Sequence, residues 1–226
     1  MHASLLILAL ISSAEPESDA AVRRRALAAT VRMRVADRAT ATAVVVGRKD
    51  GDLYLLTADH ATDGPDTTAL TFEFFADGEP EPAFALKGAK AALRRPVADF
   101  ALLKVAVPAD RTVEILPLIP PGKHAKRFPF DALSVGCSRG EAPTCEPESI
   151  AAKRLAVRRD DELAFFWQAE KTQSRGRSGG PLVDGEGRVI GICAATALGK
   201  GYYTHASELH AALKGEGFDW LWDAAE

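Results

Sequence analysis

The sequence GRSGGPL at residues 176–182 places one serine, Ser178, among glycines. A serine hydroxyl is a weak nucleophile, so acyl transfer needs a base to accept its proton and N–H donors to stabilise the oxygen anion of the tetrahedral intermediate. The glycines let the backbone turn so that the amides of Gly176 and Ser178 can face one point. The motif therefore predicts a nucleophile with an oxyanion hole, whereas a Gly-Ser turn without a catalytic role is the structural alternative.

Two other segments provide the remaining groups of such a site. A mainly apolar run at residues 54–58 leads to His60, and Asp99 leads directly into another apolar run at residues 100–103. Taken singly, a histidine at a strand end is usually a surface residue, and an aspartate before a strand usually belongs to a turn. Together they give the order His, Asp, Ser that one type of catalytic triad requires. This order favours His60 as the base and Asp99 as the carboxylate that orients it.

Outside these motifs, the chain alternates short apolar runs with turn signals. Asp-Gly pairs at residues 50–51 and 184–185 lie between apolar runs and predict hairpins. Many short strands with few helical stretches favour a β-sandwich or a closed barrel over a doubly wound sheet. Strands are predicted at residues 31–35, 43–47, 54–58, 70–75, 100–105, 133–136, 150–157, 163–168, 181–183, 189–194 and 202–205.

Helices are predicted only near the two ends of the chain. Residues 17–29 are rich in Ala, Arg and Leu, and Ser207 can cap a helix over residues 208–214 that Gly215 ends. The Pro-containing stretch 117–129 divides the predicted strands about evenly, as a connection between two barrels would.

Composition limits the classes of function. The chain has 226 residues, of which 47% are hydrophobic, and a net charge of -3. It can therefore fill a core, and its nearly neutral charge does not indicate a nucleic acid or an acidic membrane as partner. The five histidines are scattered and show no zinc-binding spacing. Neither a metal nor a cofactor is predicted, and the oligomeric state stays open.

The first residues are similar to a secretory signal peptide. The apolar run 5–11 is followed by small residues, and cleavage is predicted after Ala14. This run is too short to span a bilayer, which needs about 20 apolar residues. We therefore expect residues 1–14 to be removed and the mature chain, residues 15–226, to be secreted or periplasmic without membrane contact.

The three cysteines fit an exported protein better than a metal site. Cys137 and Cys145 bracket a polar loop, and their spacing predicts a disulfide in an oxidising compartment. Two reduced thiols are the alternative. Cys193 lies in the apolar run 189–194 and is predicted to be a buried free thiol.

Several segments together resemble the trypsin/chymotrypsin-like clan of serine proteases, and within it the HtrA-like branch. Thr57 to His60 (TADH) is similar to the histidine motif of the clan, and residues 99–105 (DFALLKV) resemble its aspartate motif. Residues 168–178 resemble the serine segment of the branch, and residues 201–207 its last strand. The resemblance implies an all-β fold of two six-stranded antiparallel β-barrels, at about residues 31–116 and 130–206, with a short C-terminal helix at about 207–215. Too few residues follow Leu213 for the PDZ domain of many branch members.

The resemblance also implies a mechanism. It assigns His60, Asp99 and Ser178 to the catalytic triad of a serine endopeptidase, and the Gly176 and Ser178 amides to its oxyanion hole. The substrate would be a protein or peptide, cut through an acyl-enzyme intermediate.

For the primary specificity pocket, the resemblance implies Thr172 as the floor, with Thr196 and Gly201 as wall positions. An uncharged floor disfavours Lys and Arg, because a buried cation without a partner is costly. A side chain at position 196 narrows the mouth of the pocket. We therefore expect cleavage after small or medium aliphatic residues.

Other positions depart from the clan. Arg177 stands where trypsin has an aspartate that pairs with a new amino terminus, so no zymogen cleavage is expected. Ala194 and Ala195 fall where many members have Ser-Trp. These departures leave open a secreted peptide-binding protein with the same fold and little turnover. An α/β-hydrolase esterase is disfavoured, because its catalytic histidine must follow the serine with an acid between them.

Overall fold

The structure, a computed structural model, describes residues 19–35, 39–62, 66–76, 79–158 and 161–223. The predicted signal peptide lies outside these residues. The described chain contains thirteen strands, two helices of ten residues and one short C-terminal helix. Their bounds are α1 Asp19–Ala28, β1 Thr30–Val35, β2 Ala39–Lys49, β3 Asp52–Thr57, β4 Leu70–Phe75, β5 Pro82–Lys87, β6 Lys90–Arg95, β7 Phe100–Ala106, β8 Phe130–Gly136, β9 Thr144–Val157, β10 Leu163–Ala169, β11 Pro181–Val183, β12 Val189–Ala197, β13 Lys200–His205, α2 Ala206–Gly215 and α3 Trp220–Asp223.

The strands form two antiparallel units. The first is a seven-stranded sheet in the order β5-β4-β1-β2-β3-β7-β6, and the second is a closed barrel in the order β10-β13-β12-β11-β8-β9. The all-β class and the two-unit architecture are therefore confirmed, and the second unit has the predicted six strands. The first has seven strands. Strands β5 and β6 were not predicted. Both are edge strands, and β5 begins with Pro82, ends with Lys87 and alternates half-buried and exposed positions, as is typical of a sheet edge rather than of a buried strand.

Each unit has its own core, and a third cluster joins them. Buried Leu55, Phe72 and Leu103 belong to the core of the first sheet, while Trp167 and Tyr203 belong to that of the barrel. The joining cluster combines side chains from both units and from the helices, including Leu56, Leu102, Ile192, Leu209 and Leu221. This shared core holds the two units together and fixes the cleft between them.

The connection between the units has little regular structure, as predicted for residues 117–129. The Leu116 amide donates to the Val45 carbonyl at 3.0 Å, so the connection starts on the first sheet. Leu118 then forms an isolated parallel bridge to Val189 of β12. The connection is therefore fastened to both units.

Helix α2 begins at Ala206, and its N-cap is His205 rather than the predicted Ser207. The His205 Nδ1 atom accepts a hydrogen bond from the Ser207 amide at 2.9 Å, which makes His205 the N-cap. Leu209 and Leu213 share the buried face of the helix. Among the described residues, no helix is long and apolar enough to cross a membrane.

The predicted Cys137–Cys145 disulfide is wrong in this structure, where all three cysteines are free thiols. In the β8–β9 hairpin, Cys145 lies directly opposite Val135, two residues before Cys137. Cys137 lies beyond the end of β8 and has no partner in this hairpin, so the strand pairing does not place the two sulfur atoms opposite each other, as the specific geometry of a disulfide requires. Burial raises the pKa of the Cys137 thiol to about 11 and that of Cys193 to about 12, so both thiols are poor nucleophiles.

Candidate active site

His60 lies just beyond strand β3, in the 3₁₀ turn Asp59–Ala61. The turn is closed by the Thr62 amide, which donates to the Asp59 carbonyl at 2.8 Å. Asp59 is buried, and its carboxylate accepts two hydrogen bonds from Arg94 at 2.7 and 3.2 Å. The His60 side chain itself is 44% exposed. These contacts hold the turn in place, and the turn presents the His60 imidazole to the cleft.

Asp99 immediately precedes β7 and is buried beside His60. Its Oδ1 atom accepts a hydrogen bond from the His60 backbone amide at 3.0 Å, and its Oδ2 atom lies 2.9 Å from His60 Nδ1. The Asp99 backbone has a φ of 56°, in the left-handed region where a non-glycine residue is uncommon. This conformation aims the carboxylate at both the backbone and the ring of His60.

A third charged group faces this pair from the second unit. Arg158 follows β9, and its Nη2 atom lies 3.8 Å from Asp99 Oδ2. Its Nε atom donates to the Val97 carbonyl at 3.2 Å, which holds the side chain across the cleft. The hydrogen bond to Asp99 raises the pKa of His60, while partial burial and the charge of Arg158 oppose that rise. Ala194, where many clan members have a serine, is buried and brings no hydroxyl to Asp99.

Ser178 lies in the loop between β10 and β11, packed on the strands that lead to His60. Its carbonyl accepts a hydrogen bond from the Thr42 amide of β2 at 2.8 Å. The next residue, Gly179, has a φ of +86°, and a Cβ there would overlap the Thr42 carbonyl and approach the Ala58 amide. Only glycine fits at this approach. Within the described chain, no hydrogen bond joins the Ser178 hydroxyl to the His60 ring.

The turn before Ser178 orients the Gly176 amide. The Arg177 amide donates to the Ser174 carbonyl at 3.3 Å, and Gly176, third in this four-residue turn, has a φ of +92°, as a type II turn requires. The Arg175 carbonyl accepts from the Arg139 amide at 2.7 Å. Because C=O and N–H point in opposite directions in a trans peptide, the Gly176 N–H points away from Arg139. Of the residues described, none accepts a hydrogen bond from the Gly176 or the Ser178 amide, so both donors are available.

Arg177 does not line the cleft. Its side chain is buried under the β8–β9 hairpin, where Nη2 donates to the Ser134 carbonyl at 2.7 Å and to the Ser134 hydroxyl at 2.8 Å. Its Nη1 atom donates to the Thr144 hydroxyl at 2.9 Å. Arg177, which stands where trypsin has an aspartate, therefore ties the segment before Ser178 to the barrel wall.

The predicted pocket residues are only partly together. Thr196 and Gly201 are opposite each other on β12 and β13. Thr172 is exposed. The next residue, Gln173, lies against Gly201, and its Nε2 atom donates to Glu148 Oε2 at 2.7 Å.

Sequence reasoning missed Arg158, Gln173 and Glu148. Arg158 and Glu148 belong to no motif, and Gln173 lies within the segment 168–178 but is not singled out by it. Arg158 and Gln173 reach their partners through tertiary contacts, with Asp99 and with Glu148. One feature of the sequence could have indicated a further donor to Asp99. Ala194 lacks the hydroxyl expected beside Asp99, so another group can donate to this carboxylate instead.

Comparison with known proteins identifies the family of the chain. The model of the trypsin-like peptidase domain matches residues 41–192, more than half of the chain, so the chain belongs to this family. The fold is therefore that of a trypsin-like serine protease.

Similar solved structures include an inactive form of the Rv3671c protein of M. tuberculosis H37Rv, a serine-to-alanine mutant, with 19% identity, a TM-score of 0.70, and coverage of 90% of this chain and 95% of that one. The active form of the M. tuberculosis Rv3671c protease has 20% identity and a TM-score of 0.67, covering 96% of this chain and 94% of that one. A variant of the HtrA-type protease AlgW with a tripeptide has 22% identity and a TM-score of 0.66, covering 89% of this chain and 64% of that one. No curated protein matches the sequence.

Proposed function

We propose that the chain is a serine endopeptidase that cuts proteins or peptides through an acyl-enzyme intermediate. Family membership supports a protease in general. The observation that carries the finer assignment is the His60–Asp99 pair, with the carboxylate on Nδ1, because this contact leaves Nε2 free to accept a proton.

In the proposed mechanism, His60 Nε2 removes the Ser178 proton as Oγ attacks the carbonyl carbon of the scissile bond. Asp99 keeps the remaining imidazole proton on Nδ1 and stabilises the imidazolium that forms. The Gly176 and Ser178 amides bind the oxyanion of the tetrahedral intermediate. His60 then donates its proton to the leaving amine, and water hydrolyses the acyl-enzyme by the same steps in reverse.

The orientation of the Arg175–Gly176 peptide supports an oxyanion hole already formed without substrate. If the peptide were flipped, its carbonyl would point into the hole and block it. The contact from the Arg139 amide to the Arg175 carbonyl opposes that flip. No proteolytic activation step is therefore part of the proposal.

One observation favours a second candidate, a peptide-binding protein with the same fold and little turnover. The Ser178 hydroxyl has no hydrogen bond to His60 within the part of the chain that the structure describes. Such contacts are often long without substrate and tighten on binding, so we place the active protease first. Export of the chain, predicted from residues 1–14, stays a prediction.

Hydrolysis of an unfolded protein such as casein separates the two candidates. The protease candidate predicts cleavage by the natural chain and none by Ser178→Ala of unchanged thermal stability, since the change removes one half-buried oxygen. Binding of casein without any cleavage by the natural chain would instead support the peptide-binding candidate.

A further inference from the structure

The side chain of Gln173 lies in the space between Gly201, Thr196 and the segment before Ser178. A Cβ on Gly201 would lie 2.7 Å from the Lys171 carbonyl oxygen, 2.9 Å from Gln173 Cγ and 3.0 Å from Gln173 Nε2. The side chain therefore occupies the room that the missing side chain of Gly201 provides. By the resemblance to the clan, this room is the primary specificity pocket.

Gln173 is held in place by hydrogen bonds of both its side chain and its backbone. Its Nε2 atom donates to Glu148 Oε2 at 2.7 Å, and its Oε1 atom accepts from the Ser134 hydroxyl at 3.3 Å. Its backbone amide donates to the Thr196 hydroxyl at 3.1 Å. Because both ends of the amide are engaged, moving the side chain out of the pocket breaks all its polar contacts at once.

Below Gln173 lies a carboxylate, that of Glu148, which forms no ion pair among the residues that the structure describes. Glu148 is 5% exposed and shares the inner face of β9 with Ile150. Its other oxygen accepts a hydrogen bond from the Ser149 amide at 3.2 Å, and none of the described Lys or Arg side chains forms an ion pair with it. The buried Arg177 makes its ion contact with Glu146 instead, at 3.4 Å. A buried carboxylate without a cation is costly, so this position favours any positive group that reaches it.

We propose that Gln173 plugs the primary specificity pocket and that Glu148 forms its charged floor. The natural enzyme then cuts after small residues such as Ala, Ser and Gly, because larger side chains meet the Gln173 amide. Truncation of Gln173 opens a pocket with a carboxylate at its base, which accepts Lys and Arg. This inference rests on the proposed function, and it replaces the floor predicted at Thr172, which is exposed.

Cleavage of an unbiased peptide library by four proteins tests the specificity: the natural chain, Gln173→Ala, Glu148→Gln and the double variant. We expect Gln173→Ala to raise the kcat/KM ratio of Arg over Ala substrates on the order of 10- to 100-fold, the range of one hydrogen-bonded charge pair. The double variant keeps the larger pocket but loses the gain for Arg. Glu148→Gln alone keeps the preference for small residues. Cleavage after Lys or Arg by the natural chain, or an unchanged ratio in Gln173→Ala, would overturn the proposal.

Binding of benzamidine, a small aromatic cation, tests the same pocket without turnover and so stays informative even if the proposed function fails. In the Ser178→Ala background, calorimetry should detect binding only after Gln173→Ala is added, and Glu148→Gln should remove it again. If Gln173→Ala fails to fold, Gln173→Ser takes its place, because its hydroxyl leaves a polar group near Glu148. Two results would contradict the assignment. One is equal binding of benzamidine by the folded proteins with and without the Gln173 substitution, and the other is benzamidine binding that persists after Glu148→Gln.

Discussion

At the scale of single residues, the site depends on how charges surround one imidazole. Asp99 contacts the His60 ring directly, and Arg158 and Asp59 act on it through space with opposite signs. Asp99 is buried, so its charge acts in a medium of lower dielectric than water. The proton on His60 is therefore controlled mainly by Asp99 and adjusted by Arg158.

Asp99→Asn should lower kcat/KM on the order of 10⁴-fold, as loss of the orienting carboxylate does in other triads. The amide can donate to His60 Nδ1 and so favours the tautomer with the proton on Nε2, which cannot accept from Ser178. Steady-state kinetics with a peptide substrate measures the loss. A loss below tenfold in a correctly folded variant would show that Asp99 does not orient His60.

Arg158→Gln should move the acid limb of the pH profile of kcat/KM to higher pH. His60 must be neutral to act as base, so activity is lost as the pH falls through the His60 pKa. Removing a cation that lowers this pKa leaves it higher, and the loss then begins at a higher pH. Arg158→Lys keeps the charge and should shift the limb less. If the acid limb of Arg158→Gln does not move, or moves to lower pH, Arg158 does not lower the pKa of His60.

At the scale of elements, close packing of the nucleophile loop on β2 and β3 sets the distance between Ser178 and His60. Gly179→Ala should reduce the free energy of unfolding by at least about 2 kcal/mol and abolish hydrolysis, because its Cβ would overlap the Thr42 carbonyl. Gly185→Ala is the matched control, since a Cβ there meets nothing within 4 Å. Urea unfolding measures both variants. Equal stability of the two would mean that the loop does not pack as described.

The strands and loops also show how much of the site can be predicted from the sequence. His60, Asp99 and Ser178 each lie in a local motif at a strand end, so a single pass along the chain finds them. Contacts such as Gln173 to Glu148 join the β10–β11 loop to the inner face of β9, which no local pattern encodes. The disulfide prediction failed for the same reason: a spacing of eight residues does not show that Cys145 pairs with Val135.

At the scale of the whole molecule, the short helix α3, which follows α2, packs against the first sheet. Leu221 is fully buried, and Leu221 and Trp220 cover Gly47 of β2. The Trp220 ring meets Tyr54 of β3 edge-on, with the ring centroids 5.0 Å apart. The helix therefore stabilises the first unit although the barrel precedes it in the chain.

Leu221→Ala should lower the free energy of unfolding by about 2–5 kcal/mol, the usual range for truncating a buried leucine. Leu198→Ala is the matched control, because Leu198 is 95% exposed and should change stability by less than about 0.5 kcal/mol. Guanidinium unfolding, followed by tryptophan fluorescence, compares the two. Similar effects of both changes would show that α3 is not part of the shared core.

Labelling by a serine-directed fluorophosphonate tests whether Ser178 is an activated nucleophile, because the reagent reacts by far the fastest with an activated serine hydroxyl. Intact-mass analysis followed by peptide mapping should find one adduct, on Ser178, in the natural chain. Folded Ser178→Ala and His60→Ala should carry none, the first for lack of the nucleophile and the second for lack of its base. A natural chain that stays unlabelled while folded, or undiminished labelling of Ser178→Ala, would contradict the assignment of Ser178 as the nucleophile.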